Sequence, residues 1–194
     1  MSIVDRFSTP IYVGVVRSNE ILENLIKTVE QKRLSDDLSS PWVENIETSF
    51  KYNDDFPINS FSDSPIVQDE ICFHCVEFVK QLSSTLLNIN SDNIEIKESW
   101  YNISNKGQWQ NWHTHPNFDM SGCIYIKNNG TPIEFQSPTP AFVHSTFPRE
   151  FINEQKSYTP RIGEVVIFPS FLSHSVPVNK GGESISITFN CNII

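Results

Sequence analysis

The sequence predicts an α+β chain in which two helices back a β-sandwich or open barrel, and three observations carry this. Two stretches before residue 92 repeat apolar residues at helical spacing. From Asn93 onward the period drops to two. Turn signals at Asn105-Lys-Gly107, Asn128-Asn-Gly130 and Lys180-Gly-Gly182 then cut the chain into short strands. A length of 194 residues suits one domain, 1–194, and is enough for a sizeable core. Within it, residues 1–92 read as helical and irregular support and 93–194 as the β core.

In order, Phe7-Ser-Thr-Pro10 leads a β-rich run to Val16. Ser18-Asn-Glu20 opens a helix with Ile21, Leu22, Leu25, Ile26 and Val29 on one face. Residues 34–57 are polar and irregular. Trp42, Val43, Phe50 and Phe56 are their anchors, and the segment reads as a surface excursion or as a lid. Ser64-Pro65 begins the longest amphipathic helix, through Ile71, Cys75, Phe78, Val79, Leu86 and Leu87, with Pro where its missing N–H costs least. Strands follow at 94–103, 109–115, 120–127, 132–136, 163–169, 176–178 and 184–194. Pro138 to Thr159 is expected to be loop. No repeat and no low-complexity tract interrupts this order.

The composition is globular, 38% hydrophobic and 12% aromatic. The net charge of −9 and the lack of a basic stripe argue against nucleic acid and against an anionic membrane. No run is apolar enough to span a bilayer, and the first residues lack a secretory pattern, so a soluble cytoplasmic protein is expected. Cys72-Phe-His-Cys75 has CxxC spacing but no second Cys/His pair nearby. Buried thiols on a helix are the preferred reading over zinc or redox chemistry.

The chemistry-bearing residues are histidines. His113 and His115, two apart, are expected on one strand face. His174 follows the strand Gly163-Glu-Val-Val-Ile-Phe-Pro-Ser, across a barrel mouth. Three imidazoles on one side of a metal leave the other positions open, as catalysis at iron requires. Surface histidines are the bland alternative. Three of the 5 His in the chain falling at these places favours the metal site.

These residues also carry a resemblance. Trp100-Tyr-Asn-Ile, Gly107, Asn111, His113-Thr-His115-Pro116, Ser121-Gly122, Tyr125, Gly163-Glu-Val-Val-Ile-Phe-Pro-Ser, His174-Ser-Val-Pro and Ser186-Ile-Thr-Phe-Asn190 resemble the 2-oxoglutarate/Fe(II) oxygenase family, which is prolyl-hydroxylase-like and common in marine bacteria and phages. The resemblance implies a double-stranded β-helix (jelly roll) with Fe(II) at its open end, bound by His113, His115 and His174. It implies 2-oxoglutarate as co-substrate, decarboxylated with O2 to succinate and CO2 while a C–H bond is hydroxylated. Two departures stand out. His115 sits where most of the superfamily has Asp or Glu. Ser184 sits where the superfamily usually has the Arg that anchors the co-substrate. The substitutes for that Arg are Lys127, placed at strand spacing from Tyr125, and the hydroxyls of Ser184 and Ser186, with Lys180 as a further cation.

The expectation is therefore an iron dioxygenase acting on a small-molecule or peptide substrate, with a homodimer left open. Two alternatives remain. A cupin-type metalloprotein without 2-oxoglutarate would place Asp119 at the metal. A degenerate jelly roll would serve a binding or structural role without catalysis.

Overall fold

The computed structural model describes residues 9–36, 38, 46–50, 59–82, 88–138 and 155–194. In chain order they form β1 (Tyr12–Val15), α1 (Asn19–Ser35), β2 (Glu47–Thr48), α2 (Pro65–Leu82), a 3-10 turn (Ser91–Asn93), β3 (Ile94–Ser104), β4 (Gln110–His113), β5 (Met120–Lys127), β6 (Ile133–Gln136), β7 (Gln155–Tyr158), β8 (Glu164–Pro169), β9 (His174–Val176) and β10 (Ser184–Ile193). Ser18 caps α1 by accepting from Ile21 N at 3.2 Å, and Pro65 takes the first position of α2.

A six-stranded sheet has the order β1-β8-β5-β10-β3-β2, and a four-stranded sheet the order β4-β9-β6-β7. The pairings between these strands are antiparallel. From β3 to β6, and again from β7 to β10, successive strands fall in opposite sheets. That winding is the double-stranded β-helix.

Each face of the larger sheet has its own chemistry. On β10, Ile185, Ile187, Phe189 and Cys191 join Tyr101, Ile103, Ile124 and Ile126 in one core. Against them pack Leu25 and Val29 of α1 and Val67, Ile71, Cys75, Phe78 and Val79 of α2. The alternate residues Ser184, Ser186 and Thr188 face the space between the sheets. A smaller cluster, Ile133, Phe135, Val166, Phe168 and Leu172, closes that space on one side. On the face under the helices Gly122 is required: a Cβ would sit 2.5 Å from the Phe189 ring and 2.8 Å from Val166 O.

Strand β1 is tied to α2 by a buried polar chain. Tyr12 Oη donates to His74 Nδ1 at 2.9 Å, and His74 Nε2 donates to Glu70 Oε1 at 3.1 Å. Arg17 adds its backbone N–H at 2.9 Å and Nε at 2.7 Å to the same carboxylate. Burial alone would raise the Glu70 carboxyl, but the bonds from His74 and Arg17 outweigh it and hold its pKa below the usual value.

Several expectations are corrected here. The stretch taken as loop to Thr159 contains β7, an all-polar strand. The irregular segment contains β2. The strand expected to run through His115 stops at His113, and the last short strand is His174–Val176. Cys72 and Cys75 are free thiols on α2, Cys75 buried as expected and Cys72 only partly so. Trp42, Val43, Phe56, Leu86, Leu87 and His144 lie outside the described residues. Among the described residues, no helix is long and apolar enough to cross a membrane.

Glu70→Ala strands the His74 and Arg17 donors in the interior. The substitution is expected to cost about 2 kcal/mol of stability, read as a lower urea midpoint with an unchanged m-value.

Candidate metal centre

His113 ends β4, His174 opens β9, and the two are cross-strand partners. His115 reaches them from beyond the strand. Its backbone N–H bonds to Ser170 O at 3.0 Å, in the turn after β8. The Ser170 hydroxyl donates to Phe118 O. Between these ties Asn117 adopts φ 76°, a left-handed conformation that Asn tolerates. The His-x-His spacing therefore delivers a strand-end residue and a loop residue. It does not deliver two residues of one strand face.

One ring nitrogen of each histidine lies within 4.8 Å of the other two. His115 Nε2 and His174 Nε2 are 3.3 Å apart. Three imidazoles bound facially at metal–nitrogen distances near 2 Å would have their nitrogens about 3 Å apart. The trio fits such an ion with small adjustments. His113 Nδ1 is 2.7 Å from Asn111 O, and His174 Nδ1 is 3.0 Å from Leu172 O. A carbonyl only accepts, so each Nδ1 carries the proton and each Nε2 offers its lone pair.

His115 is held differently. Its Nδ1 accepts from Asn190 Nδ2 at 3.2 Å, so the neutral metal-free ring carries its proton on Nε2, 3.3 Å from the His174 Nε2 lone pair, and ligation through that nitrogen requires the tautomer to switch. The Asn190 carboxamide is fully buried and has two further partners: Nδ2 donates to Glu98 Oε2 at 2.7 Å, and Oδ1 accepts from Ser121 Oγ at 2.7 Å. Burial, with the neighbouring His113, lowers the His115 pKa to about 3. Burial and His113 likewise lower that of His174 to about 2, so both rings are neutral near pH 7.

Two cavities meet at the trio. The inner one, about 60 Å³, lies between the sheets; the outer one, about 440 Å³, opens beside β4. Trp100, Gln110, His113 and His115 line both. Apart from its histidines, the described lining of the inner cavity has no charged side chain. Its polar groups are hydroxyls and amides, among them Asn102, Ser104, Tyr125, Ser184 and Ser186. Trp100 Nε1 and Ser104 Oγ are buried there without a hydrogen-bond partner. Burial, then Cys123, raises the Tyr125 pKa well above the usual value, so its hydroxyl stays protonated and able to donate.

Of the candidate co-substrate residues, Tyr125, Ser184 and Ser186 line the inner cavity and Lys127 does not. The pairing of β5 with β10 shifts between Tyr125 and Lys127, which breaks the same-face relation. The Lys127 ammonium turns to Glu183 at 2.9 Å, a carboxylate that Arg33 of α1 also holds at 2.8 Å. Lys180 is likewise absent from the described lining. Asp119, required at the metal by the cupin alternative, instead accepts from Ile193 N at 2.9 Å. Glu98, Trp100, Ser104 and Asn190 were not singled out by role from the sequence. The alternation of Ser184-Ile-Ser-Ile-Thr-Phe-Asn190 was the available signal for Asn190.

Residues 98–190 match the family model described as "Putative 2OG-Fe(II) oxygenase". That segment, just under half of the chain, is similar to the 2OG-Fe(II) oxygenase family. Solved structures with the same fold include a Pseudomonas putida prolyl-4-hydroxylase, at 12% identity and TM-score 0.61, covering 95% of this chain and 94% of that one. HygX from Streptomyces hygroscopicus, with nickel and 2-oxoglutarate bound, is 13% identical at TM-score 0.60, covering 95% and 83%. The viral collagen prolyl hydroxylase of Paramecium Bursaria Chlorella virus-1, in its 2OG complex, is 13% identical at TM-score 0.55, covering 95% and 96%. At such identities the likeness establishes the fold. No curated protein matches the sequence.

Two outcomes are expected. One divalent ion should bind per chain. His113→Ala or His174→Ala should abolish binding; titration calorimetry with Ni(II) measures each. The metal-free protein should also lose stability as pH falls from about 6.5. Below that value the unfolded His115 and His174 take up protons that the folded rings refuse, until their lowered pKa values are reached. Urea midpoints between pH 7.5 and 4.5 test this.

Proposed function

We propose that the protein is a non-haem iron(II), 2-oxoglutarate-dependent dioxygenase that hydroxylates its substrate, with His113, His115 and His174 as the metal ligands. The observation that carries the reading is the meeting of two cavities at the trio, the inner one walled by buried donors that lack partners. Chain 1–194 acts as one unit, with the helices as support for the β core.

With 2-oxoglutarate and O2, iron(II) in such a site supplies decarboxylation of the keto acid to succinate and CO2 and insertion of one oxygen atom into a C–H bond. The chain's part is to prepare the place. Asn111 O and Leu172 O fix two imidazoles with Nε2 presented. Asn190 fixes the third. Trp100 Nε1, Ser104 Oγ and the Tyr125 hydroxyl donate to a dicarboxylate in the inner cavity, with Asn102, Ser184 and Ser186 beside them. A carboxylate in a buried site needs donors or a cation; neutral donors fill that role along the described wall. Phe168, Ile133 and Ile185 keep water from the far side. His115, in place of the usual carboxylate, leaves the site one negative charge short, which favours anionic co-ligands.

The substrate is a small molecule or a peptide, entering by the outer cavity. Proteins of this fold include one solved with the aminoglycoside hygromycin B and one with a hypoxia-inducible-factor peptide.

Anaerobic Fe(II) followed by 2-oxoglutarate should produce the weak visible charge-transfer band of the chelated pair, absent in His113→Ala. Ser104→Val should raise the co-substrate's dissociation constant about tenfold, the loss expected for one hydrogen bond to a charged group. Iron uptake with no band at saturating 2-oxoglutarate would sink the reading.

A further inference from the structure

The outer cavity carries information on what enters it. Its described lining is Phe50, Glu98, Trp100, Gln110, Asn111, His113, Thr114, His115, Pro116, Asn117 and Phe118. The histidines aside, Glu98 is the one charged side chain of that set. Phe50 and Trp100 form a corner, their rings at 62° with centroids 5.1 Å apart. A second groove shares Gln110 and Asn111 with this cavity. It is walled by Trp109 and Trp112, 37% and 39% exposed, and its one charged lining residue is Glu134.

We infer that the substrate bears a cation, an ammonium or guanidinium on an aliphatic stem, which docks against Glu98 and the Phe50–Trp100 corner. This rests on the proposed dioxygenase reading, since it takes the outer cavity as the substrate's side. Three points support it. Among the described residues no ion pair engages Glu98 or Glu134, which mark the cavity and the groove that shares Gln110 and Asn111 with it, so a positive group gains at each while an anion is repelled. Glu98 is half-buried in the cavity that the aromatic corner also lines, where its field is less screened than at an open surface. The bond from Asn190 holds one carboxylate oxygen in place and leaves the charge intact. Aromatic faces attract the same cations, most strongly indole, and two more indoles line the groove. The net charge of −9 steers in the same direction. The stem beyond the charge then lies along the wall that His113 and His115 share, where C–H bonds face the metal side.

A free amine compound and a basic residue of a peptide both carry such a cation, so the test uses a probe for each. Agmatine stands for the first, N-acetyl-lysine N-methylamide for the second. The nearly isosteric N-acetyl-norleucine N-methylamide and the anionic N-acetyl-glutamate N-methylamide are the comparisons. Each is titrated against intrinsic tryptophan fluorescence, with the protein loaded anaerobically with Fe(II) and 2-oxoglutarate and again metal-free. At least one cation should bind about tenfold or more tighter than the norleucine probe, and added salt should weaken it. The tighter of the two cations identifies the source. Glu98→Gln should erase the preference. Phe50→Leu, which leaves Asn190 untouched, should reduce it.

Equal binding of lysine and norleucine probes, no binding by either cation, or a preference that survives Glu98→Gln would overturn the inference. The charge-transfer band is recorded on the same samples. A normal band without a cation preference fails the inference alone. A missing band fails the dioxygenase reading, and the metal-free titration then still judges the cation site.

Discussion

The pairing of β4 with β9 sets His113 directly opposite His174, and the rest of the centre is arranged around that register. Side chains alternate across a strand, so a slip of one residue would turn one imidazole to the outer face. The neighbourhood resists such a slip from several directions. β9 is paired on its other side with β6, Phe135 opposite His174. The Phe168 ring packs on His174 at 4.6 Å between centroids. The turn after β8 fixes His115 through Ser170. Two ligands come from facing strands and one from a loop bonded to the turn between β8 and β9. The site therefore exists only once both sheets have closed.

Much of this was legible in the sequence because the larger sheet is two-faced. In Ser184-Ile-Ser-Ile-Thr-Phe-Asn190 every second residue is apolar and packs under the helices, and the others point to the cavity. Helix α2 was equally clear, with its proline start and long apolar stripe. What escaped had weak local signals. Gln155-Lys-Ser-Tyr158 pairs with β6 although nothing in it is apolar except the last ring. Lys127 has strand spacing from Tyr125, but an irregularity in the pairing, invisible in a pattern of letters, redirects it to Glu183. The bond from Glu98 through Asn190 to His115 joins residues on three different segments, and only closure of the sheet brings them together.

Charge is distributed with the same economy. Arg33 and Lys127 are engaged by Glu183 and do not line the inner cavity. The three histidines are crowded together, and burial keeps His115 and His174 neutral near pH 7. The inner cavity presents hydroxyls, amides and an indole N–H, and the outer one a carboxylate. The outer cavity carries a carboxylate and the described lining of the inner one none, although one row of residues separates them.

Trp100 stands in that row, 2% exposed, with one cavity on either side. A partition of one side chain cannot move for one guest without being felt by the other. If filling the inner cavity settles the indole and so strengthens binding outside by some factor, the outer guest must strengthen binding inside by that same factor. Order of arrival, which kinetics would assign to one ligand or the other, is then a property of a single shared wall.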